Sequence, residues 1–68
     1  MTPNGYMGEV ALVVRSRRRQ LGVDQETVAR LAGVSRKAVS EIERAKPTIR
    51  VDVLVKVLDA LGLEITVS

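Results

Sequence analysis

Gly22, Gly33, Pro47 and Gly62 divide this chain into four segments, each long enough for one helix, and a short tail. Glycine just past a helix supplies the left-handed residue that closes it. Pro47 cannot donate into a helix, and it disfavours helical geometry at Lys46. Two of the glycines are followed two residues later by a helix starter: Asp24 after Gly22 and Ser35 after Gly33. Each offers a side-chain oxygen to the free N–H groups of the next helix, and Glu26 suits the positive end of its dipole.

Apolar spacing between these marks predicts four helices. The first runs from about Gly8 to Leu21, with Val10, Val13, Val14, the stem of Arg18 and Leu21 toward the core. The second spans about Gln25 to Ala32 (Val28, Leu31, Ala32), and the third about Arg36 to Arg44 (Val39, Ile42). The fourth spans about Val51 to Leu61, with Val51, Leu54, Val55, Leu58 and Leu61 on one stripe. Residues 1–7, with Pro3, Asn4 and Gly5, read as a flexible arm. Residues 63–68 alternate apolar and polar, the period of a strand. A lone strand leaves its backbone groups unpaired. The tail is therefore expected either to pair with a second copy about a two-fold axis, burying Leu63, Ile65 and Val67, or to fray. The expected fold is all-α: a compact four-helix domain over residues 8–62 with a short C-terminal dimerisation strand.

Composition narrows the function. A chain of 68 residues recovers only about 60% of its unfolded surface as burial, so it relies on regular helix packing, oligomerisation or both. Without Cys or His, disulfides, ordinary zinc sites and Cys–His or Ser–His–Asp catalysis are excluded. Glu41 and Glu43 are two residues apart on a helix and face different ways, so they cannot share a substrate. We expect no enzyme, cofactor or metal site. No run approaches eighteen apolar residues, and the start lacks a basic segment followed by a long apolar core. The expectation is a cytoplasmic, nucleoid-associated protein with no membrane partner.

Charge suggests a partner. Residues 15–50 hold ten Lys and Arg against four Asp and Glu, a net charge of +6, which points to a polyanion. Tyr6 is the only aromatic residue, so there is no stacking platform for single strands, and duplex DNA is the better candidate. Within the Arg15–Arg19 cluster, Arg17 and Arg19 are expected near DNA, against the alternative of a solvated helix face.

Function concentrates in Gln25–Arg44, two short helices separated by Ala32-Gly33-Val34-Ser35. A steep crossing needs a small residue at its centre, and Ala29 is there. Gly33 allows the tight turn; Val28, Val34, Val39 and Ile42 supply a shared apolar seam. With Arg18, Leu21-Gly22-Val23-Asp24-Gln25-Glu26-Thr27-Val28-Ala29, Val39-Ser40-Glu41-Ile42-Glu43, Lys46-Pro47-Thr48 and Leu58-Asp59-Ala60-Leu61-Gly62-Leu63-Glu64, the sequence resembles the lambda-repressor-like, Xre/Cro-type helix-turn-helix repressors over about residues 8–64. Its ending is most similar to the HipB-like antitoxin branch.

The resemblance implies that the helix from Arg36 enters the major groove, with Arg36, Lys37, Ser40 and Glu41 at base-contacting positions. Arg36 or Lys37 would pair with guanine. Glu41 would accept from a cytosine N4, or else orient a cation on its own helix, Lys37 or Arg44. Gln25, Ser35, Arg44, Lys46 and Thr48 match phosphate-holding positions. Arg18 and Glu43 match an inter-helix ion pair. Ala45 stands where the family usually has glycine. The implied protein is a dimeric repressor of a palindromic operator, with double-stranded DNA and a second copy as partners. The alternative is an antitoxin whose main role is to hold a toxin protein.

Overall fold

The structure, a computed structural model, describes residues 5–64. It contains four helices: α1 (Gly5–Gln20), α2 (Gln25–Ala32), α3 (Arg36–Glu43) and α4 (Val51–Ala60). Among the described residues there is no strand.

Local chemistry fixes the helix ends. Asp24 caps α2 by accepting from the Thr27 N–H at 2.8 Å, and Ser35 caps α3 by accepting from the Ala38 N–H at 3.0 Å. All four helices close the same way. A residue with positive φ turns the chain (Gly22, Gly33, Ala45 and Gly62). The N–H of the residue after it reaches back five positions: Val23 to Arg18, Val34 to Ala29, Lys46 to Glu41 and Leu63 to Leu58. This is the Schellman motif. Ala45, at φ 60°, is the only non-glycine in that role.

The core gathers one face from each helix. Val14, Val28, Val39, Ile42 and Val57 are fully buried, joined by Ala29, Leu54, Leu58 and Leu61. Ala29 at the α2–α3 crossing is 4% exposed; its single methyl lets the two backbones approach.

Several sequence expectations are corrected. Helix α1 begins at Gly5, so residues 5–7 belong to it and not to an arm, whereas residues 1–4 lie outside the described residues. Gly8 lies inside α1, because one interior glycine costs only about 1 kcal/mol. Val13, Leu21, Leu31, Val51 and Val55 are exposed. Val13 and Val14 point about 100° apart on α1, and it is Val14 that faces the core. In α4 the inward position is taken by Val57, which the sequence reading omitted.

At the C-terminus, Leu63 and Glu64 form no strand. The Leu63 N–H is spent on the Leu58 carbonyl at 2.8 Å, and its side chain packs against the domain's own core. Ile65 and Val67, the rest of the expected strand, lie outside the described residues.

Candidate DNA interface

Helices α2 and α3, joined by the Gly33 turn, present one open groove lined by Gln25, Arg36, Lys37, Ser40, Glu41, Arg44 and Lys46. The four positions expected to read bases all line it, as do three of the five expected to hold phosphate. Arg36, Lys37, Arg44 and Lys46 are exposed, while Gln25, Ser40 and Glu41 are half-buried. Four cations and one carboxylate give the groove a positive potential suited to a polyanion. Ser35 and Thr48 are exposed but do not line it. The Ser35 oxygen is already an acceptor in the α3 cap, which leaves its hydroxyl hydrogen to donate.

The groove rests on a charged cluster. Glu43, on the last turn of α3, is 4% exposed. Its carboxylate accepts from Arg18 Nε at 2.7 Å, from Arg18 Nη2 at 3.0 Å and from Gln25 Nε2 at 3.3 Å. Arg15 adds a longer contact at 3.7 Å to the same carboxylate, and donates at 2.9 Å to the Glu43 backbone carbonyl. Burial pushes the Glu43 carboxyl up, but the bonds from Arg18 and Gln25, with the charges of Arg18 and Arg15, outweigh it and hold it low. The hydrogen bond to Glu43 conversely raises the Arg18 pKa. No buried side-chain polar atom among the described residues lacks a partner.

Gln25 therefore does two things. It opens α2, where backbone N–H groups lack helical acceptors, and its amide is oriented by Glu43. The second amide N–H remains for an incoming acceptor. This link between core ion pair and groove was not legible in the sequence.

Glu41 pairs with neither Lys37 nor Arg44. Its carboxylate accepts from Lys46 Nζ at 2.5 Å, and this bond, with the charges of Lys46, Lys37 and Arg44, keeps it below its ordinary range. Lys46 lies beyond α3, and it is the Ala45 turn that brings it back.

Arg17 is also reassigned. Its Nε donates to the Leu61 carbonyl at the end of α4 (3.0 Å), and its Nη1 to Gln20 (3.0 Å). Arg15 and Arg17 thus place cations at the carboxyl ends of α3 and α4, where helix dipoles favour them. Their acceptors are backbone carbonyls far along the chain, which leave no trace in a charge pattern. Arg19 stays exposed.

A family model described as helix-turn-helix matches residues 14–67. The chain belongs to the Xre/Cro-like helix-turn-helix family. This helix-turn-helix chain is accordingly a DNA-binding regulator of transcription, in a family that is usually non-enzymatic. No curated protein matches it. Among its described residues, no helix is long and apolar enough to cross a membrane.

Proposed function

We propose that this protein is a sequence-specific transcriptional repressor that binds a palindromic operator as a homodimer and occludes the promoter. The observation that carries the reading is the groove, where seven of the nine expected DNA-contacting side chains converge around α3. Arg36, Lys37, Ser40 and Glu41 read base edges in the major groove; Gln25, Ser35, Arg44, Lys46 and Thr48 hold the phosphates. Two copies joined through Ile65 and Val67 place recognition helices about 34 Å apart, one turn of duplex.

Selection of duplexes from a random library tests this. A palindrome with half-sites one turn apart supports it. Retention without any enriched sequence defeats the specific-repressor reading.

A second reading has its own support. Exposed Val51 and Val55 on α4, and a groove lined by Val55, Leu58, Asp59, Leu63 and Glu64, share no residue with the DNA groove. Such a surface suits a protein partner, including the toxin of a toxin–antitoxin pair. Co-purification of one stoichiometric partner from the native host distinguishes that role from repression alone.

A further inference from the structure

Lys46 is offered to phosphate in the proposed interface, yet its ammonium is held by Glu41, the one acid among the residues lining the groove. The backbone enforces this proximity. Ala45 turns left-handed and the Lys46 N–H donates to the Glu41 carbonyl at 3.0 Å, so both side chains start from the two ends of one closed turn. No equivalent pair forms at Arg44, two residues earlier, whose guanidinium remains free of any carboxylate among the described residues.

Against DNA this pair has two arrangements. With Lys46 kept on Glu41, the two charges cancel and the groove has one phosphate ligand fewer. With Lys46 moved to phosphate, the Glu41 carboxylate faces a polyanion without its counter-ion, a costly state unless a donor replaces the ammonium. The donors that a major groove presents are base amines, cytosine N4 and adenine N6.

We propose that the Glu41–Lys46 pair is a selectivity latch: Lys46 stays on Glu41 against an arbitrary duplex, and transfers to phosphate only where a base amine takes its place. Resting on the DNA reading of the groove, the latch couples one base contact to one phosphate contact. It makes Glu41 a determinant of specificity through what it withholds from the wrong sequence as well as through what it accepts from the right one.

The test compares salt dependence on two probes, the duplex enriched by library selection and an unselected random-sequence pool of the same length. Each phosphate contact contributes about 0.9 to the slope of log affinity against log salt. Glu41→Gln frees Lys46 in both complexes. It is expected to steepen the random-pool slope by about 0.9 and leave the selected-duplex slope unchanged. Preference for the selected duplex falls roughly tenfold or more. Lys46→Gln makes the reciprocal change: the selected-duplex slope becomes shallower by about 0.9 and the random-pool slope stays put. If Glu41→Gln steepens both slopes alike, Glu41 is only a repelling charge and the latch is overturned. Unchanged slopes, or a selection that enriches no sequence, overturn it too. Failure of the unsubstituted protein to retain any duplex instead removes the DNA reading itself.

Discussion

Arg18 of α1 meets both carboxylate oxygens of Glu43 at the end of α3, with contacts of 2.7 and 3.0 Å, in a site where the Glu43 side chain is 2% exposed. The pair joins α1 to α3 through a planar fork that only arginine provides. Its value lies in being complete. Glu43→Ala strands the charge of a half-buried Arg18 and removes the acceptor for Gln25, at a cost of about 3 kcal/mol. In a domain this small that lowers the melting temperature by more than about 12 °C. Replacing both partners by methionine should cost less than the single change does, and thermal unfolding of the two variants side by side checks it.

Acid should weaken the same site. The folded Glu43 pKa lies below the ordinary 4.5. A carboxyl lowered by folding contributes stability above its unfolded pKa and loses it as pH falls through the folded one. Urea midpoints are therefore expected to hold from neutral pH to about 4.5 and then to drop. Glu43→Gln should flatten that drop in part only, because Asp24 and Glu41 are also lowered.

Ala45 holds a backbone shape that the other three helix ends assign to glycine. A left-handed alanine costs about 1 kcal/mol or slightly more. Ala45→Gly should therefore stabilise the domain by about 1 kcal/mol, raising the urea midpoint without changing the slope. Gly33→Ala should do the opposite through backbone strain alone, since at φ 72° an added Cβ meets nothing within 4 Å.

Three arginines should separate by role. Arg36→Ala is expected to relax preference at one or two base pairs, costing about 1–3 kcal/mol on the selected duplex. Arg44→Ala should weaken every duplex similarly and reduce the salt slope by about 0.9. Arg17→Gln should leave that slope unchanged while lowering stability by about 1 kcal/mol, because its guanidinium is engaged by the Leu61 carbonyl. Binding across a salt series and urea unfolding on the same preparations distinguish the three.

What the sequence made legible were the signals carried by single residues. Asp24 and Ser35 as starters and Gly22, Gly33 and Gly62 as stops mark both ends of α2 and one end of each other helix, because caps act within three or four positions of themselves. Faces were harder. In helices of eight to ten residues, a few apolar side chains fit more than one stripe, and the choice between Val55 and Val57 falls to the neighbouring helix. The candidate DNA groove was readable from Arg36, Lys37, Ser40 and Glu41 because the motif has fixed offsets. The contacts behind it were not: Gln25 to Glu43 and Arg17 to Leu61 join distant segments, and Lys46 reaches Glu41 only because a left-handed alanine bends the chain.

Arg17 and Arg18 are neighbours, so their side chains leave α1 about 100° apart. One clasps the end of α4, the other the end of α3. The first helix is thus a jig that sets the bearing of α3 against the point where the chain leaves α4. Two copies joined beyond residue 64 would inherit that bearing twice, with little play in either domain. An operator whose half-sites are moved apart by one base pair should find that neither partner can stretch to meet it.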